Sequence, residues 1–160
     1  MELIEMESSH WPEVEQIYLD GIATGKATFE TTSPGWEKWN SSHAKHSRYV
    51  AIIDGQVAGW VALTPVSDRC VYGGVAEISV YVNSKFRGQG IGKALMNKVI
   101  NSSEDNGIWT LQAATFSNNE ESIALHEKCG FRRIGYREKI GQLNGVWHDN
   151  TLLERRSPKF

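Results

Sequence analysis

The stretch "RGQGIGKALM", Arg87 to Met96, sets glycines at 88, 90 and 92 where a loop runs into a helix. Backbone N–H groups in the first turn of a helix have no intrahelical partner, and the positive end of the helix dipole lies there. Such a turn attracts an anion. With three side chains missing, a diphosphate can approach the backbone, and Arg87 and Lys93 add formal charge. Two familiar phosphate loops do not fit. The spacing GxGxxG, started at Gly88, meets Lys93 where its last glycine belongs, and the P-loop pattern meets Arg87 and Ala94 where it requires Gly and Ser or Thr. The alternative is a glycine-rich connection that holds nothing.

A second chemical candidate stands just upstream. Glu77 is the only acidic residue in "GVAEISVYV" (74–82), an otherwise apolar and β-branched run. Alternation places it with Ser79 and Tyr81, opposite Ala76, Ile78, Val80 and Val82. A partly buried carboxylate there has a raised pKa and serves as a base, whereas a solvated strand glutamate does nothing special. Further along, Asn119, Ser122 and His126 follow i, i+3, i+7 spacing on one helix face, with Ser117 and Glu120 spelling a capping box. Cys129, just before Gly130, reads as a small core residue.

These residues need a scaffold. The chain has 160 residues, 40% hydrophobic and 22% charged, with net charge −2. That suits one domain, 1–160, with a real core, and gives no support to a nucleic-acid partner. No apolar run approaches the ~18 residues of a membrane span. The N-terminus "MELIEMESSHWPE" lacks the basic-then-apolar order of a signal peptide. Cys70 and Cys129 have no metal-type spacing and the five histidines make no HExxH, so the expectation is a reduced cytoplasmic protein without a metal.

Periodicity supplies the element order. "ELIEM" alternates as a strand, and a helix then carries Val14, Ile17, Tyr18 and Ile22 on one face, with Ser9 and Pro12 as start signals. "GIATGKATFETTSPG" (21–35) is a loop, and Ser33-Pro34 predicts the start of a second helix over about 34–46. Two strands flank the tight turn Asp54-Gly55 in "YVAIIDGQVAGWVALTPV". The strand 74–82 follows, then a helix over about 90–103 with Ile91, Leu95 and Val99 in line, and the strand "WTLQAAT". A short helix over about 118–129 ends at Gly130, and two last strands turn at Asn144-Gly145. The order β-α-α-β-β-β-α-β-α-β-β predicts a layered α/β domain with a mixed sheet.

"AEISVYVNSKFRGQGIGKALM" followed by "NNEESIALHEKCGF" resembles the paired signatures of the GNAT superfamily of acetyl-CoA-dependent N-acetyltransferases. The resemblance covers essentially the whole chain and implies a mostly antiparallel central sheet flanked by helices. It implies that the loop Arg87, Gly88, Gln89, Gly90, Ile91, Gly92 and Lys93 grips the coenzyme A pyrophosphate. By the same likeness, the backbone of Val80, Tyr81 and Val82 serves the thioester and pantetheine, and Asn119, with Ser122 on its face, contacts the coenzyme. Glu77 falls where the family has its catalytic carboxylate. His126 stands where many members carry a tyrosine that protonates the leaving thiolate, so its reading divides between acid and packing residue.

Within the superfamily, "AEISVYV", "SIALHEKCGF", "TFET" and "GVWHDNTLLER" are similar to phosphinothricin and methionine sulfoximine acetyltransferases. "GIATGKATFET", "VSDRCVYGGVAEISVYV" and "GIWTLQA" resemble the related arsinothricin-resistance enzymes. This likeness makes "DRCVYGG" the acceptor region, with Arg69 and Tyr72 as carboxylate and phosphinate contacts around Cys70 and Val71. Gly73 occupies a position where a second arginine is common, which leaves an amino-acid-like acceptor without fixing phosphinothricin. Phe29 resembles an aromatic residue of the acceptor pocket, and the hairpin around Trp147 implies a homodimer. The implied reaction is direct acetyl transfer to the α-amino group of a small molecule, with antibiotic resistance as the associated role. An α-amino group has a pKa near ~8 and is mostly protonated at neutral pH, so a base is required. A peptide N-terminal acetyltransferase and a non-catalytic acetyl-CoA sensor are the alternatives.

Overall fold

The computed structural model describes residues 1–160. Its elements are β1 (Glu2–Glu5), α1 (Trp11–Ala23), α2 (Trp36–Ser42), β2 (Tyr49–Ile53), β3 (Gln56–Pro65), β4 (Val75–Val82), α3 (Ile91–Asp105), β5 (Thr110–Phe116), α4 (Glu120–Lys128), β6 (Arg132–Leu143) and β7 (Val146–Arg156). The order is the one that periodicity predicts. Seven strands form one sheet in the order β1-β2-β3-β4-β5-β7-β6. Every neighbouring pair is antiparallel except β4 and β5. That exception follows from the chain path, because α3 carries the chain from one end of β4 back to the start of β5.

Two apolar layers hold the sheet. On one face Ile91, Leu95, Met96 and Val99 of α3 pack on Val61, Leu63, Ile78, Leu111 and Leu153. On the other, Val14 and Ile17 of α1 and Trp39 of α2 pack on Val50, Val57 and Trp60. Leu95 is wholly buried, so truncation to Ala costs about 2–5 kcal/mol. The tight turns use backbone that their residues tolerate: Asp54 and Gly55 have φ of 50° and 75°, and Asn144 and Gly145 have φ of 50° and 79°.

Two helices differ from expectation at their ends. α2 starts at Trp36 and stops at Ser42, shorter than the span 34–46. Gly35 at φ 80° is its N-cap, because the Ser33 hydroxyl is occupied with Glu15 and the Gly35 N–H. At the other end the ring of His43 stacks on Trp39 at 4.0 Å and its Nδ1 bonds the Trp39 carbonyl at 2.7 Å, so the chain leaves the helix with that carbonyl satisfied. α4 is capped by Asn119 rather than Ser117. The Ser117 hydroxyl bonds Thr151 across the sheet instead.

Candidate active site

The strand pairing itself opens the site. β4 and β5 are in register only over Val75–Thr110, Ala76–Leu111 and Glu77–Gln112. Beyond Glu77, β4 stays paired to β3 as far as Val82, while β5 stays paired to β7 as far as Phe116. The two strands therefore diverge into a wedge whose apex is the Glu77–Gln112 pair. The Asn83 N–H bonds the Ala58 carbonyl on β3, and the Gly74 carbonyl accepts from Thr110 on β5. By alternation, Tyr81 turns its backbone toward β3, while Ile78, Val80 and Val82 turn theirs into the wedge. Of the three strand positions expected to serve a thioester, Val80 and Val82 face it through their backbone. Tyr81 is spent on packing: its ring stacks on Trp60 at 5.0 Å and meets Tyr18 edge-on at 5.2 Å.

Glu77 points to the α1 side of the sheet, as alternation requires. Its carboxylate makes no hydrogen bond or ion pair within the protein. Water still reaches it, but partial burial strips some of its hydration, and that desolvation pushes its pKa above the ordinary carboxylate value. An unpaired carboxylate with enhanced basicity is suited to accept a proton.

The glycine turn lies next to the wedge. Gly88 and Gly90 have φ of 75° and 76°, and no protein atom lies within 4 Å of where a Cβ would stand on either. Gly90 is the N-cap of α3, and no side chain caps that helix. The N–H groups of Gly88, Gln89 and Gly90 have no backbone acceptor, and those of Ile91, Gly92 and Lys93 fall in the uncapped first turn. Arg87 and Lys93 are exposed beside these donors. The Ile91 side chain is buried in the core, so only its backbone faces the turn. Gly92 answers a packing need: a Cβ there would come 3.0 Å from Leu125 of α4.

α4 closes the far side. Asn119 Oδ1 accepts from the Ser122 N–H, and its Nδ2 donates to the Lys26 carbonyl at 3.2 Å, fastening the loop between α1 and α2. His126 is 3% exposed; its Nδ1–H donates to the Ser122 carbonyl at 2.6 Å and its ring meets Phe131 edge-on at 5.1 Å. Burial lowers its pKa, which favours the neutral ring. With the one proton on Nδ1, Nε2 has none to give, an arrangement that favours packing over acid chemistry. Cys129 is buried and free, with its thiol pKa pushed up by burial, as a core residue.

The expected acceptor residues fall into two groups. Arg69, Val71 and Tyr72 line a cavity of about 620 Å³ at the foot of β4 and β5. Arg69 lies over the Tyr72 ring at 5.5 Å and makes no ion pair. Cys70, exposed, shares the short 3₁₀ turn Cys70–Tyr72 but does not line the cavity. Phe29 sits elsewhere, edge-on to Phe116 at 4.6 Å and against Gly141, where a Cβ would come within 2.9 Å of its ring. Phe116 is four residues up β5 from Gln112, or about 13 Å. The same cavity contains Trp109, Gln112 and Glu154, which sequence reasoning passed over. Gln112, like Glu77, is a polar residue inside a mostly apolar strand, whereas Glu154 sits in the polar end of β7 beside Arg155 and Arg156, where nothing marks it out. Nothing in the sequence, however, says that register aligns Glu77, Gln112 and Glu154 side by side.

Comparison with known proteins adds to this geometry. Residues 4–131 match the family described as acetyltransferase (GNAT). The chain is 32% identical over 151 residues to a phosphinothricin N-acetyltransferase of Alcaligenes faecalis, covering 90% of this chain and 76% of that one. It is 28% identical over 149 residues to an L-methionine sulfoximine/L-methionine sulfone acetyltransferase of Pseudomonas paraeruginosa, covering 89% and 87%. Among solved structures, a phosphinothricin acetyltransferase of Sinorhizobium meliloti in complex with acetyl-CoA superposes with TM-score 0.87 at 26% identity, covering 97% of this chain and 87% of that one. A ribosomal-protein-alanine N-acetyltransferase of Brucella melitensis superposes with TM-score 0.89 at 27% identity, covering 98% and 100%.

Proposed function

The chain belongs to the acetyltransferase (GNAT) family, and we propose that it acetylates the α-amino group of a small amino-acid-like acceptor by direct transfer from acetyl-CoA. The acceptor class is that of phosphinothricin, methionine sulfoximine and arsinothricin. One observation carries this reading: an unpaired, partly desolvated Glu77 stands at the apex of the wedge into which Val80 and Val82 direct their backbone groups.

Acetyl-CoA supplies an activated acetyl thioester. The turn Gly88–Lys93 has the open space and free donors to hold a diphosphate, so the fit is good on this chain's own residues. Ser122 and Asn119 form the neighbouring wall of α4. The Val80 N–H, aimed into the wedge, is placed to polarise a carbonyl. Glu77 takes the proton from the acceptor's ammonium group, directly or through a water, which frees the nitrogen lone pair for attack. The carbon–sulfur bond then breaks, coenzyme A would leave as its thiolate, and the second proton lost by the nitrogen neutralises it through solvent. Arg69, with Tyr72 beneath it, takes an anionic group of the acceptor. Phe29 lies outside the cavity of Arg69, so a shared pocket needs either movement of its loop or a second subunit.

Homodimerisation supports the second route. Ile134, Tyr136, Ile140, Val146 and Trp147 on the β6–β7 hairpin are all exposed at 44% or more, apolar side chains spread over both faces of the last two strands. Equilibrium sedimentation of the wild type and of Trp147→Lys tests it; a wild-type monomer would end the dimer reading. No helix is long and apolar enough to cross a membrane. A reduced cytoplasmic setting and a detoxifying role belong to the same proposal.

The likeness to a ribosomal-protein-alanine N-acetyltransferase supports a second reading, acetylation of a peptide N-terminus. A free cation in the acceptor cavity favours a small anionic acceptor over it. An acceptor panel with acetyl-CoA decides: phosphinothricin, methionine sulfoximine, arsinothricin, common amino acids and an alanine-initiated peptide. Turnover of the peptide alone would sink the small-molecule reading, and no turnover with any would favour an acetyl-CoA sensor.

A further inference from the structure

The acceptor cavity has an uneven charge set. Arg69 is the one cationic residue that lines it, and it is unpaired. Glu154 is its one carboxylate. Glu154 lies on the same sheet face as Glu77, because Glu77 is in register with Gln112 and Gln112 with Glu154. The row ends on β6 at Arg132, the register partner of Glu154, whose guanidinium donates to Glu154 Oε2 at 2.8 Å. Arg132 is 72% exposed along its side chain, so its only hold near the cavity is this bond. Glu154 thus does two things: it presents negative charge to the cavity, and it engages Arg132, its neighbour in the row.

We infer that Glu154 sets the charge selectivity of the acceptor site, which takes an amino acid with a neutral polar side-chain end in preference to one with an anionic end. This rests on the amino-acid reading above. An acceptor with one anionic group satisfies Arg69. Within the cavity lining, an acceptor with two has a free cation for only one of them, whichever end Arg69 takes; Arg156, on the same face beside Thr110, has its guanidinium turned to the Trp109 and Ser157 carbonyls. The other end, lying over the row, meets Gln112 and the carboxylates on either side of it. Like charges at close range raise the cost of binding, and specificity here comes from that repulsion.

Methionine sulfoximine and phosphinothricin make a clean pair of probes. They share the carbon chain, the α-amino and carboxylate groups and the terminal methyl; one ends in a neutral sulfoximine and the other in an anionic phosphinate. We would measure kcat/KM for both with acetyl-CoA, and Kd for both by calorimetry with coenzyme A present. The wild type prefers methionine sulfoximine on both measures. Glu154→Gln shifts the preference toward phosphinothricin by roughly tenfold, since it removes one charge and releases another. Arg132→Gln shifts the preference the other way by leaving Glu154 unmasked. Equal or reversed preference in the wild type, or the same ratio in both variants, overturns the inference. Binding in the expected order without acetylation of either acceptor would sink the acetylation reading alone, and binding of neither acceptor would overturn both.

Discussion

Glu77 and Gln112 are the last pair in register between β4 and β5, so the residue best suited to take a proton stands where the sheet splits. One strand deviation thus opens a slot between β4 and β5 and sets a carboxylate at its apex, where the proposed transfer needs a base. Replacing Glu77 by Gln keeps the shape and removes the proton acceptor. We expect kcat to fall by about 10²–10³, a usual cost for losing a general base. Coenzyme affinity stays the same. In the wild type kcat/KM falls on the acid side as Glu77 protonates, at a higher pH than for an ordinary carboxylate because its pKa is raised by desolvation. The variant loses that limb. Unchanged turnover at neutral pH removes Glu77 from the role.

The same raised pKa has a stability consequence. A carboxyl whose folded pKa exceeds its unfolded pKa favours the fold below the unfolded value and loses that contribution as pH rises through the folded one. Glu77→Gln therefore raises the thermal midpoint at neutral pH. A lower midpoint would contradict the desolvation argument.

Gly90 separates backbone strain from steric access. Its φ of 76° is left-handed and nothing in the protein crowds it. Asn tolerates that conformation, so Gly90→Asn leaves thermal stability near wild type, while Gly90→Val costs about 1–2 kcal/mol. Both side chains fill the space over the turn and raise KM for acetyl-CoA about tenfold or more. Normal KM in both variants would place the diphosphate elsewhere.

Glu104 on α3 is buried and receives hydrogen bonds from Arg155, Ser157 and Lys159, which clasp the C-terminal segment to the helix. Burial alone would raise its pKa, but those donors outweigh it and hold the carboxyl at about 2. The folded value lies below the unfolded one, so the clasp contributes fully above pH ~4.5 and is lost as pH falls toward about 2. Glu104→Gln should cost about 2 kcal/mol at neutral pH. Its deficit relative to wild type shrinks in denaturant melts at acid pH. A constant deficit would mean that the ionised form contributes nothing.

Gly74 precedes β4, and a Cβ there would fall 2.0 Å from the ring of Trp109, a wall of the cavity proposed for the acceptor. Gly74→Ala must displace that ring, at a cost of about 2 kcal/mol or more. Acceptor KM rises while acetyl-CoA KM holds. Equal loss for both substrates would mean general damage.

His126 gives an opposite pattern. His126→Asn removes a buried ring packed on Phe131 and should cost about 2 kcal/mol. kcat stays within about threefold, and the alkaline limb of the rate profile is kept. Loss of that limb would restore the acid role.

Local patterns carried much of this. Alternation in "GVAEISVYV" placed Glu77 away from the apolar face, and the residues flanking Asp54-Gly55 and Asn144-Gly145 marked both hairpins. Glycine spacing marked an anion turn, since backbone freedom is a property of the residue itself. Caps were less legible. Ser117 and Asn119 both suit a helix start, and the choice fell to Asn119 because Thr151, 34 residues away in sequence, engages the Ser117 hydroxyl.

The sequence by itself determined the order of elements, the free donors before α3 and the lone carboxylate of β4, because each depends on neighbours a few residues apart. Only the tertiary structure decided that β4 parts from β5 after Glu77, and that Glu154 and Arg132 join its row. It also decided that Phe29 packs apart from Arg69. Those relations depend on register between strands distant in the chain, which is set by packing of whole layers rather than by any local run of residues.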